Sequence, residues 1–255
     1  MKSIMLGLLT GMLMTSVWAE ESFEGGTATQ DLQFIGYAYD LNNNDLLYSE
    51  HHTIRFDQDG NRETCSVMYY DPAGNLIADK TLRYDESGYL PNFVCKDHRS
   101  NQGIEVLKQN DAINIQQKMV DERLTDLVDY PQGKDLIADA GFDVFMNKNW
   151  QALVNGEAKE VEFLAVTRGR FVTFSIERTR IYKNRVYFRL APANFLISML
   201  VDPIELEYDR ASGKILSYVG LTNLEWVEDG EPKGENYVAR IEYVYETVYG
   251  QGPKQ

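Results

Sequence analysis

Seven cations crowd one stretch of an acidic chain. Arg168, Arg170, Arg178, Arg180, Lys183, Arg185 and Arg189 lie close together, Glu177 is the only acid among them, and the whole sequence carries a formal net charge of −14. A local reversal of sign is the chemistry of an anion site, because guanidinium groups bind phosphate and carboxylate through paired, charge-assisted hydrogen bonds. The same residues suit a solvated hairpin whose arginines meet acids across a sheet. Phe171, Phe174, Tyr182, Tyr187 and Phe188 interleave with them. The overall acidity argues against a nucleic-acid partner, which needs a basic surface.

Other reactive types are scarce. The three histidines are His51, His52 and His98. His51 and His52 are neighbours in an extended run and so point to opposite faces. His52 shares its face with Glu50, Ile54 and Phe56, which allows a Glu50–His52 pair at a cavity rim; a structural histidine is the simpler expectation. No spacing of His, Cys and carboxylate fits zinc. Asp57-Gln58-Asp59-Gly60-Asn61 has a calcium-loop flavour, but its glycine comes fourth where an EF-hand needs it sixth, so a hairpin turn accounts for it. No nucleophile elbow or phosphate loop is present, and 39 acids leave no means of choosing a catalytic pair. The expectation is a non-enzymatic protein without metal or cofactor. Cys65 and Cys95 are the two cysteines. In an oxidising compartment they are expected to form a disulfide, although a strand between them would hold them roughly 9–10 Å apart.

The elements that position these residues are set by a repeated phrase. Phe56-Asp57-Gln58-Asp59-Gly60-Asn61 returns as Tyr70-Asp71-Pro72-Ala73-Gly74-Asn75 and again as Tyr84-Asp85-Glu86-Ser87-Gly88-Tyr89, so both Asp and Gly recur every 14 residues. Asp bonds the backbone two residues on, and Gly takes a left-handed φ without steric cost. Each phrase is therefore a turn, and the runs between them are strands. The fold expected is mainly β: a long curved antiparallel meander, half-barrel or open barrel, with two short helices packed on it. The meander runs over 32–120, with Asp121–Asp139 as a crossing loop. A helix-containing second half covers 121–245, all within one domain of 32–245.

The first helix is expected over Ala140–Val154, where Phe142, Phe145, Met146, Trp150 and Leu153 recur at helical steps, with Asp139 as its cap. Pro192–Val201 is the second, with Pro at its first turn and Phe195, Leu196 and Met199 among apolar residues on nearly every face. Such a helix needs cover on several sides. Met1–Ala19 reads as a secretory signal peptide: Lys2, a short apolar core, and Val17 and Ala19 at the −3 and −1 positions. That core is too short to span a bilayer. Residues 20–31 form a flexible lead-in and 246–255 a tail. The expected location is the periplasm, as a soluble exported chain.

This order of leader, long meander and mid-chain apolar helices resembles the half-barrel carriers of the bacterial envelope, such as the outer-membrane lipoprotein carrier and its mycobacterial lipid-carrying relatives. Ala140-Gly141-Phe142-Asp143 with Trp150, and Tyr218-Val219-Gly220-Leu221-Thr222-Asn223, also resemble phrases of uncharacterised exported bacterial proteins. The resemblance implies a curved sheet around an apolar space plugged by helices. The function it suggests is a periplasmic carrier for a lipid or other amphiphile. Arg178, Arg180 and Arg185 would hold the head group, and Phe195, Leu196, Met199, Trp150 and Phe145 the chain. The alternative is an envelope assembly protein that takes a protein partner through its sheet.

Overall fold

The computed structural model describes residues 31–85, 88–110, 112–119, 123–131, 133–194, 202–228 and 231–245. The leader, most of the lead-in, the tail, and Phe195, Leu196 and Met199 lie outside these residues.

Eight strands rise and fall in chain order: β1 (Leu32–Asp40), β2 (Leu46–Phe56), β3 (Arg62–Tyr70), β4 (Leu76–Arg83), β5 (Asn92–Asp97), β6 (Gln102–Lys108), β7 (Ala112–Lys118) and β8 (Arg123–Asp129). The repeated phrases make the three turns from β2 to β5. Gly60, Gly74 and Gly88 have φ of 80°, 85° and 71°. Asp57 Oδ1 accepts the N–H groups of Asp59 and Asn61, and Asp71 Oδ1 those of Ala73 and Asn75, at 2.8–2.9 Å. This side-chain bonding closes each turn in the short distance that a two-strand hairpin demands.

Asp121–Asp139 is not the crossing loop expected. It supplies β8 and a short β9 (Asp135–Ile137). β8 pairs with β7 along its whole length, yet nearly all its side chains are exposed. A strand open to solvent on both faces has no burial pattern to impose alternation, so its sequence shows none. β9 is followed by α1 (Gly141–Lys148) and α2 (Trp150–Val154), which divide the expected single helix at Asn149. Asp139 does not cap α1 as an N-cap residue. It sits one position earlier in a left-handed conformation, φ 46°, and its Oδ1 accepts the Ala140 N–H at 2.7 Å.

The second half continues with β10 (Lys159–Ala165), β11 (Arg170–Tyr182), β12 (Arg185–Pro192), β13 (Ile204–Asp209), β14 (Ile215–Glu228) and β15 (Glu231–Tyr245). Pro192 closes β12 opposite Phe174, where a strand end tolerates its missing N–H; the helix expected over Pro192–Val201 lies, from residue 195 on, outside the described residues. Among the described residues one sheet holds all fifteen strands, in the order β8 to β1, then β15 back to β9. β1 and β15 join the two halves through seven paired positions from Phe34↔Tyr245 to Asp40↔Ala239. The sheet is not closed. No described helix is long and apolar enough to cross a membrane.

The sheet is strongly curved. Val128 of β8, Leu164 of β10 and Leu224 of β14 share one apolar cluster with Tyr48, Ile54 and Val67 of the first meander. A second cluster gathers Phe145, Met146 and Leu153 of the helices against Val161, Ile176, Phe188 and Tyr208. The concave side is thus filled by side chains and by α1.

Cys65 on β3 and Cys95 on β5 are free thiols, which corrects the expected disulfide. β4 lies between their strands, so two strand spacings hold them beyond bonding reach. Burial pushes both thiols up to about 11.

Gly141 seats α1. A Cβ there would overlap the Tyr89 carbonyl oxygen, and this carbonyl also accepts the Ala138 N–H at 3.0 Å. Neither backbone can give way cheaply. Gly141→Ala is expected to cost about 2–3 kcal/mol in urea unfolding; a change below ~0.5 kcal/mol would mean that the helix is not seated there.

Candidate functional site

Turns that share one end of the sheet frame a cleft of about 430 Å³. The meander puts the 57–61 and 85–88 turns at that end, and the Asp209–Gly213 turn between β13 and β14 faces them. α1 lies between. Two glycines make the fit possible: a Cβ at Gly88 would come 2.9 Å from Val144 Cγ1, and one at Gly213 2.7 Å from Asn147 Oδ1. The floor is apolar, from Leu32, Phe34, Phe56, Val144, Ile215 and Tyr245. Arg62, Lys148 and Lys214 line it as cations, Asp85 and Asp143 as acids. Lys214 Nζ lies 4.7 Å from the Tyr245 ring centre, while Lys108 engages Asp85 from outside the cleft.

Asp143 ties the two halves together at this site. Its carboxylate accepts from Arg62 of β3 and from the Tyr208 hydroxyl of β13, the latter at 3.0 Å. Burial would lower the Arg62 pKa, but the adjacent Asp143 outweighs it and raises it. Burial, then the same carboxylate, pushes Tyr208 well above the usual phenol range.

Deeper in the concave face lies a polar centre. Glu50 and Lys80 are only 6% and 4% exposed, which is unusual for charged residues without partners. Each has one. His52 Nε2 meets Glu50 Oε1 at 3.0 Å, and Lys80 Nζ donates to Asp139 Oδ1 at 2.7 Å. The His52 ring stacks on Phe34 with centroids 4.4 Å apart. Gly36 leaves the room: a Cβ there would stand 2.8 Å from both Glu50 Cγ and Tyr243 Cε1. Around these groups Tyr48, Tyr69, Tyr218, Tyr243, Phe142 and Phe163 enclose a cavity of about 120 Å³. Among the described residues, no three His, Cys, Asp or Glu side chains are grouped to hold a metal.

No family model, curated protein or solved structure matches this chain. Its own residues carry the functional argument.

Of the residues expected to bind a ligand, the described ones, Arg178, Arg180, Arg185, Trp150 and Phe145, line neither cavity. Arg178 Nη1 donates to the Val154 carbonyl at the end of α2, 2.7 Å. Arg180 lies 3.9 Å from the Tyr187 ring centre. Arg185 and Arg189 pair with Glu207 and Glu205 of the adjacent β13. Two of the seven cations in the basic stretch thus meet acids across the strands. Trp150 packs against Phe188 and Tyr208, and the buried Phe145 against Tyr89. Sequence reasoning found the Glu50–His52 pair and missed Lys80, Asp139, Arg62 and Asp143. Lys80 carried a signal: it shares an inward register with Ala78 and Leu82, where a charge must find a buried partner.

The polar centre makes stability depend on pH. Burial raises the Glu50 pKa, but His52, with Lys80 and Tyr243, outweighs it and holds the carboxyl below its usual range. The folded chain then binds fewer protons here than the unfolded one. The stabilisation is present above the unfolded value near 4.5 and is lost as pH falls through the lower folded one. Tyr48, Tyr69 and Tyr243 act at the other end: burial pushes them well above 10, so their contribution is present below that value and is lost as pH rises past it. Urea midpoints measured from neutral to acid pH should fall less steeply in Glu50→Gln than in the native chain. An unchanged slope would remove Glu50 from the acid response.

Proposed function

We propose that the protein is a non-enzymatic binding protein for a small amphiphile with an anionic head, held in the end cleft. One observation carries the reading: an apolar floor lies directly beside Arg62, Lys148 and Lys214 in a strongly acidic chain. Such a boundary suits a ligand with one apolar and one anionic part. At about 430 Å³ the cleft falls toward the low end of small-molecule sites, ~300–1,000 Å³. Beyond it the described interior is filled by side chains apart from the small central cavity of about 120 Å³. The ligand is thus a single-chain or ring-sized amphiphile, and a two-chain lipid is too large. The leader-like Met1–Ala19 supports placing the protein in the bacterial envelope as an exported carrier.

A second reading has one observation in its favour. β8 has no strand on its outer side among the described residues, and Leu127 is 63% exposed there. An open edge of that kind can add a strand from a protein partner, which supports an envelope assembly role.

Titration of fluorescent fatty acids and lysophospholipids of increasing chain length separates the two. Each added CH₂ should strengthen binding by up to about 0.8 kcal/mol until the cleft is full, after which affinity levels off. Lys214→Ala should weaken binding about three- to tenfold, the loss of one charge contact of ~1 kcal/mol, and Arg185→Ala should leave it unchanged. Affinity indifferent to chain length and to Lys214 would overturn the carrier reading in favour of the partner-binding one.

A further inference from the structure

The central cavity shares no lining residue with the end cleft, and its lining is of another chemical kind. Four tyrosines from β2, β3, β14 and β15 and two phenylalanines, Phe142 and Phe163, surround it. Two carboxylates, Glu50 and Asp139, lie in its wall against one permanently charged cation, Lys80. Lys80 is held by Asp139 at 2.7 Å, so its charge is met at that side of the wall. Glu50 is met by His52 Nε2 at 3.0 Å, with Lys80 and Tyr243 also acting on it. The Thr222 hydroxyl faces the same space. Thr222 is 6% exposed, and its Oγ1 lies near the Tyr48 hydroxyl without a hydrogen bond of normal geometry. A buried hydroxyl so placed is free to accept or donate a hydrogen bond to a molecule in the cavity.

We propose that this cavity is a second binding site, for a compact organic cation of the alkylated-ammonium class. Aromatic faces attract such ions through their quadrupoles, by about 2 kcal/mol or more when water is excluded. Glu50 supplies the counter-charge to the ligand cation. The polar end of the ligand meets Thr222. A volume of about 120 Å³ equals the liquid share of roughly four waters. That is room for a small ammonium ion and too little for the amphiphile of the end cleft. The two carboxylates in the wall disfavour an anion, and the net charge of −14 raises the local concentration of cations. Leu221, at the rim, is exposed and leaves a way in.

The probes are tetramethylammonium, choline and the neutral carbon isostere of choline, dimethylbutanol, titrated calorimetrically into the full exported chain. Both cations should bind saturably at one site, and choline at least about tenfold more tightly than dimethylbutanol. Glu50→Gln should weaken choline at least tenfold. Where that variant is poorly folded, Tyr218→Leu removes a ring without touching the charges and should weaken choline by a similar factor, while Tyr218→Phe keeps the ring and the binding. Absence of saturable binding, equal binding of dimethylbutanol, or a folded Glu50→Gln protein that binds choline as the native chain does would each overturn the proposal.

Discussion

Five residues, 130–134, join the end of β8 to the start of β9. That join links the two outer edges of the sheet, and everything else in the molecule follows from its length. A chain advances at most ~3.6 Å per residue, so the two edges can stand no more than about 22 Å apart where it crosses. Fourteen strand spacings of about 4.8 Å would put the edges of a flat sheet roughly 67 Å apart. The sheet must therefore roll up until its edges face each other. Asp126 on β8 does approach the β10–β11 connection, its Cγ 3.1 Å from where a Cβ of Gly169 would be. Rolling leaves a concave interior that has to be filled, and the same crossing delivers the chain to it: β9 is followed directly by α1.

The helix arrives with polar ties at both ends of the problem. Asp139, just before it, reaches Lys80 of the first meander, and Asp143 within it reaches Arg62 and Tyr208, one from each half. These contacts need not add much net stability, because desolvating two ions costs about as much as their attraction returns. What they do is exclude other seatings of the helix, since any shift strands a buried charge. Gly88, Gly141 and Gly213 supply the complementary clearance. Both cavities are the space left over: the cleft where α1 meets the turns, and the polar centre where Phe142 and Asp139 stop short of the β2 and β15 tyrosines.

The parts legible in the sequence are those whose cause is local. Asp and Gly at a fixed interval specify turns by their own chemistry, and β1 and β2 alternate because one face is buried, so their limits could be read from residue types. β8 was illegible because it is exposed on both faces, and β9 because three residues are too few to show a pattern. The polar centre was half legible: Glu50 and His52 are two residues apart, whereas Lys80 and Asp139 are separated by 59 positions that only the rolled sheet brings together. The arginine-rich hairpin left two readings open for a related reason. Local sequence shows Arg185 and Arg189 but not Glu207 and Glu205, which arrive on β13 after the intervening segment.

The rolled sheet itself can be measured directly. Spin labels at Thr125 on β8 and Glu160 on β10, both exposed, in a chain whose two native cysteines are replaced by alanine, report the distance across the seam by pulsed electron resonance. The account predicts a single narrow distribution below about 30 Å, the crossing length plus the label arms. A distribution centred beyond about 50 Å, close to the span of an open sheet, would contradict it.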